Sequence, residues 1–135
     1  MHARSATFAI AALVALVAAV AVASLASAAG SVNSKLKLFE AGTVGNVYLS
    51  IGAVTSPEKD CLAARKVKFI VKRPGGKSEV VDVARTSDRG GWSSIIPEDD
   101  YNGGGVDGTL YKLSPRKIEK GGKKIKCEGA KVVPA

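Results

Sequence analysis

Residues 61–92 read CLAARKVKFIVKRPGGKSEVVDVARTSDRGGW, and their reading decides the fold. From Lys66 to Lys72 apolar and basic side chains alternate. Val67, Phe69 and Val71 fall on one face, and Lys66, Lys68 and Lys72 on the other with Ile70 among them. A period of two with one apolar face is the pattern of a half-buried antiparallel strand. Arg73-Pro74-Gly75-Gly76-Lys77 follows as a turn, because proline fixes φ and glycine supplies φ > 0. Glu79 to Thr86 returns as the partner strand, and Ser87 to Gly91 is a second turn that delivers Trp92. A tryptophan that opens a strand beside a turn is read as a core anchor in preference to an exposed sugar platform.

Working outward, the same grammar repeats. Lys35-Leu36-Lys37-Leu38 alternates as a first strand with the leucines inward. Asn46 to Thr55 is a second strand in which Val47, Leu49 and Ile51 share the apolar face; Gly52 marks a bulge or a close backbone contact, and Val54 takes over the inward role after it. Ser56 to Asp60 is a polar loop leading to Cys61. Trp92–Ile96, Gly108–Ser114 and Lys123–Val133 complete about seven strands, with Pro115 to Gly122 as a basic connector. Several short strands with turn signals between them predict a single all-β antiparallel sandwich over residues 35–135. The acidic, glycine-rich stretch 98–107 is the least regular and reads as an exposed loop tip that tolerates shortening.

The first 28 residues are a separate object. Arg4 gives a positive start, Phe8 to Ala26 is almost wholly apolar, and Ala26-Ser27-Ala28 supplies small residues for cleavage. The expectation is an export signal cut after Ala28. The alternative is a retained anchor, since the apolar run approaches the roughly 20 residues that span a bilayer. Residues 29–34 then form a flexible mature terminus, and the product is secreted, extracellular or associated with the cell envelope. In that oxidising setting the two cysteines, Cys61 and Cys127, are expected to pair with each other.

The residues named so far resemble a group of small exported bacterial domains with a prealbumin-like, carboxypeptidase-regulatory-like (Ig-like) sandwich. The likeness rests on Gly52, Val54 and Ser56, a cysteine five residues on at Cys61, then Arg65 and Val67. Asp88, Gly91 and Trp92 follow after the hairpin, then Gly108 and Tyr111, and Cys127 near the end. It covers most of residues 35–133. The resemblance implies a seven-stranded sandwich, a bond between the first and last cysteines and no catalytic residues. The insert 98–107 and the short tail after Cys127 depart from the pattern.

Composition narrows the chemistry. The single histidine, His2, leaves with the signal, which removes the commonest general base and zinc ligand from the mature chain. Paired cysteines leave no thiolate nucleophile, and no Gly-x-Ser-x-Gly elbow occurs. Two Ser-x-x-Lys matches, at Ser56–Lys59 and Ser114–Lys117, read as loop serines beside solvated lysines. Glu98, Asp99, Asp100, Asn102 and Asp107 offer oxygen ligands of the kind calcium favours, but not in the EF-hand order. Neither a catalytic residue, a cofactor nor a metal site is therefore assigned.

Charge is the remaining signal. Lys and Arg number 20 against 12 Asp and Glu, a net +8 of which Arg4 leaves with the signal. Lys66, Lys68, Lys72 and Arg73 line the outer face of one strand. Arg116, Lys117, Lys120, Lys123, Lys124 and Lys126 form a second cluster. Of these, Lys66, Lys68, Lys72, Arg73, Lys123, Lys124 and Lys126 are the candidate contacts to a polyanion. Three Phe, three Tyr and one Trp supply base stacking poorly, so specific nucleic-acid recognition is not expected. The leading expectation is a non-enzymatic exported module with a binding or structural role, its partner an acidic wall polymer or another envelope protein. The alternative is a purely electrostatic binder of acidic wall polymer, membrane surface or nucleic acid. A small hydrolase built on the acidic loop ranks last.

Overall fold

In the computed structural model of the chain, residues 30–134 are described, and the export signal read from residues 1–28 lies outside them. Among the described residues ten strands form three sheets. Strands β2 (Lys35–Val44), β3 (Val47–Thr55) and β6 (Gly91–Pro97) make an antiparallel sheet in the order β2-β3-β6. A four-stranded antiparallel sheet runs β10-β7-β4-β5, from β4 (Lys66–Lys72), β5 (Ser78–Arg85), β7 (Gly108–Leu113) and β10 (Ala130–Val132). The third, smaller sheet joins β1 (Ser31–Val32), β9 (Lys123–Cys127) and β8 (Arg116–Lys120), with β1 parallel to β9. Among the described residues no helix is long and apolar enough to cross a membrane.

The two larger sheets close on one core. Leu36, Tyr48, Val54, Trp92 and Ile96 meet Val67, Phe69, Val71, Ala84, Tyr111 and Leu113. The alternation of β4 holds residue for residue, with Val67, Phe69 and Val71 buried. On β3 the phase is the reverse of the one expected. Tyr48, Ser50, Gly52 and Val54 point inward and Val47, Leu49 and Ile51 lie on the outer face. Ring size explains it: the small side chains at 50 and 52 make room for Tyr111 and Trp92. The hydroxyls of Ser50 and Tyr111 hydrogen-bond in the core. Burial raises the Tyr111 phenol above its ordinary pKa, and burial raises that of Tyr48 as well.

Gly52 is the close contact anticipated at that position. A Cβ there would lie 2.1 Å from the Lys37 carbonyl oxygen and 2.5 Å from the Trp92 ring. The bulge falls on the facing strand: Leu38 pairs with Gly52 and Glu40 with Ile51, which leaves Phe39 out of register and exposed. Gly52→Ala is expected to cost about 1–3 kcal/mol, the usual range for overpacking a filled site. Urea denaturation should show a lower midpoint at unchanged slope; an unmoved midpoint would contradict the contact.

Three further stretches depart from expectation. Ser31–Val32, read as a loose terminus, is a strand registered with Lys126 and Cys127. The basic connector is β8, paired to β9 across a two-residue turn in which Gly121 and Gly122 both have positive φ. The acidic insert is built into the fold. Its first part is a short helix, α1 (Glu98–Asn102), whose Tyr101 stacks on Tyr48 at 3.8 Å between ring centroids. Arg73 donates to the backbone carbonyls of Asp100 (2.7 Å), Tyr101 and Gly105 (3.0 Å) and pairs with Glu79. Shortening the insert would therefore unseat an aromatic that packs against the core.

Candidate anion-binding site

Register collects cations that the sequence scatters. On the outer face of the four-stranded sheet Lys131 of β10 lies opposite Lys112 of β7, and Lys112 opposite Lys68 of β4. Beside this row Lys66 of β4 faces Arg85 of β5. Neighbouring strands sit about 4.8 Å apart, so five cations occupy two adjacent rows. The outward positions of the other three strands are filled by Ser78, Val80 and Val83 on β5, Gly108 and Leu110 on β7 and Lys131 on β10. Glu79 and Asp82 pair with the inward residues Val71 and Phe69, and the Asp82 carboxylate accepts from Ser94 at 2.5 Å. Like charges directly opposite one another destabilise a sheet. Among the described residues three lysines stand in line on this face with no carboxylate between them, an arrangement that costs stability.

The patch continues into a cleft of about 470 Å³ lined by Arg65, Lys66, Lys68, Arg85, Ser114 and Arg116, together with Ala64 and Pro115. A buried guanidinium borders it. Arg65 is 1% exposed. Its Nη1 donates to Ser34 Oγ (3.1 Å) and the Cys61 carbonyl (2.7 Å), and its Nη2 to the carbonyls of Ser114 (3.0 Å) and Glu128 (2.9 Å). The Nε is buried without a partner. Among the described residues no carboxylate pairs with it. Burial, and secondarily the nearby Arg116 guanidinium, lower its pKa; arginine nonetheless stays protonated in proteins. Arg116 forms the wall by donating to the Ala63 carbonyl at 2.6 Å. Ala64 beside it has φ 53, a left-handed backbone unusual for a residue with a Cβ.

The candidates named from sequence thus divide. Lys66 and Lys68 belong to the patch. Lys72 stands beyond the apolar row of Ile70, Leu110 and Val80, and Arg73 is engaged by the acidic insert as described. The second cluster sits on the separate small sheet and carries its own acids. Lys120 pairs with Glu58 (2.6 Å) and Asp60 (3.5 Å), and Lys126 lies 3.8 Å from Glu128. Lys124 is registered with Glu119, and Lys123 with Lys120. The Lys120 ammonium holds Glu58 below the usual carboxylate range. Lys112, Lys131, Arg85 and Arg65 were not among the candidates. Lys112, Lys131 and Arg85 are each a single basic residue in their own segment, brought together only by the long-range pairing, whereas Arg65 adjoins Lys66 and was passed over as part of that basic run.

Among the described residues no three His, Cys, Asp or Glu side chains gather as a metal site, the acidic insert included. Compared with family models, curated proteins and solved structures, the chain has no significant match.

Proposed function

We propose that this chain is an exported, non-enzymatic binding module of the prealbumin-like sandwich type that holds an acidic polymer against the outer face of its four-stranded sheet. The observation that carries the proposal is the register Lys131–Lys112–Lys68 beside Lys66–Arg85, a like-charged surface with no carboxylate among it. A polymer of regularly spaced anions neutralises such rows, where a single small ion meets only part of them. An acidic wall polymer fits better than nucleic acid, because the described aromatics Tyr48, Phe69, Trp92, Tyr101 and Tyr111 pack against one another and leave no stacking platform on this face. The Cys61–Cys127 disulfide is compatible with an oxidising extracellular setting.

Retention of the mature domain on immobilised polyphosphate tests the reading. Binding is expected at low ionic strength and is lost by about 1 M salt, where the screening length has fallen to about 3 Å. Retention that ignores salt, or none at low salt, would remove it.

A further inference from the structure

Resting on that reading, we infer that the cleft at the Cys61 end of the cationic face is a discrete site for a phosphate group, distinct from the diffuse attraction of the face. Three observations converge. The cations come from separate places: Lys66 and Lys68 from β4, Arg85 from β5, Arg116 from β8, and Arg65 from beneath. A planar carboxylate is satisfied by one bidentate arginine, whereas a phosphate offers more oxygens in a tetrahedral array and draws on several donors. The Arg65 guanidinium is buried on carbonyl and hydroxyl oxygens, and among the described residues no carboxylate neutralises the charge it places beside the cleft. Buried charges are ordinarily paired, and this uncompensated charge draws an anion into the cleft through space, since the Nη donors are already taken and the side chain is 1% exposed. The left-handed backbone of Ala64 holds one wall in a conformation that costs stability, as residues at ligand sites often do.

The volume of about 470 Å³ lies within the range of small-molecule sites and exceeds what a lone phosphate fills. The cleft therefore takes a phosphate with the sugar or polyol that carries it. That group is either the monoester end of a chain or a diester within it, and the test separates the two.

Glycerol 3-phosphate serves as the monoester probe, a poly(glycerol phosphate) chain as the diester probe, and citrate as the carboxylate control, each titrated into the mature domain and followed by its amide and arginine Nε–H resonances. Lys66→Ser with Arg85→Ser removes two exposed cleft cations whose side chains make no hydrogen bond among the described residues, and Lys112→Ser with Lys131→Ser removes two from the face alone. The inference predicts that one or both phosphate probes shift the Arg65 and Ala64 signals. For glycerol 3-phosphate the cleft pair should weaken binding about tenfold or more, the scale of a lost charge-assisted contact, while the face pair changes it less than twofold. For the polymer, which also lies along the face, the cleft pair should abolish the Arg65 and Ala64 shifts, while the face pair lowers affinity and leaves those shifts in place. A response to glycerol 3-phosphate assigns the monoester end, and one to the polymer alone assigns the internal diester. Equal losses of glycerol 3-phosphate binding from both pairs, loss of the polymer-induced Arg65 and Ala64 shifts in the face pair, citrate binding as tight as phosphate, or no shift at Arg65 and Ala64 with either phosphate probe would overturn it. If the polymer still binds with dependence on Lys112 and Lys131, only the discrete site fails; if it does not bind, the wider proposal fails too.

Discussion

Replacing both cysteines, Cys61→Ser with Cys127→Ser, is expected to lower the melting temperature by well over 5 °C. The bond joins residues 66 apart in sequence. Closing a ring of that size restricts the unfolded chain by roughly 4 kcal/mol, and a domain of this size loses about 4–8 °C per kcal/mol. The structure adds where the loss begins. Cys127 ends β9, and its partner lies at the close of the Lys59–Cys61 turn that leads to β4. The disulfide thus ties the small β1-β9-β8 sheet to the body, so amide exchange in β8 and β9 should rise before that of β4 and β7. A shift under about 2 °C, small on that same scale, or two free thiols in the exported protein, would contradict this account.

Arg65→Met should be nearly as damaging. The guanidinium ties the Cys61 loop to the links that precede β2, follow β7 and follow β9, through Ser34, Ser114 and Glu128. An apolar side chain of similar length fills the volume but leaves three carbonyl oxygens and a hydroxyl without their donor. Abandoned buried polar groups cost about 1–3 kcal/mol each when water cannot reach them. With partial rescue by water, a loss of about 3–5 kcal/mol is expected, in the range seen when one partner of a buried charged contact is removed. Arg65→Lys should recover little, because a single ammonium has three donors and cannot reproduce the planar fork. Urea denaturation of both variants checks it, and Arg65→Lys within 1 kcal/mol of the parent would show that the fork is not what holds this pole together.

Local alternation made part of this fold legible. The phase of β4, the hairpin to β5, the inward Leu36 and the buried Trp92 all follow from a period of two interrupted by Pro-Gly-Gly and Gly-Gly turns. On β3 the same rule misled, because both faces carry candidates. The outer face is apolar too, with Leu49 registered opposite the exposed Ile95 and Val47 opposite Val44. What chose the inner face was the space required by Trp92 and Tyr111, and that lies on other strands. β8 was hidden for a different reason. Arg116 to Lys120 has one apolar residue, Ile118, so its strand character comes from pairing to β9. The candidate site was half visible: Lys66 and Lys68 stand out as an alternating pair, whereas Lys112 and Lys131 acquire meaning only from their places beside Lys68. Arg65 gave no sign of burial, since a basic residue between Ala64 and Lys66 looks like part of a solvated run.

The central claim is that position on the four-stranded sheet, and not net charge, makes this domain a binder of acidic polymer. It is tested most directly by two charge-reversed variants of equal net charge: Lys68, Lys112 and Lys131 to Glu on the face, and Lys117, Lys124 and Lys126 to Glu on the small sheet. Retention on polyphosphate at low salt should vanish in the first and fall only slightly in the second, whereas equal loss in both would contradict the account.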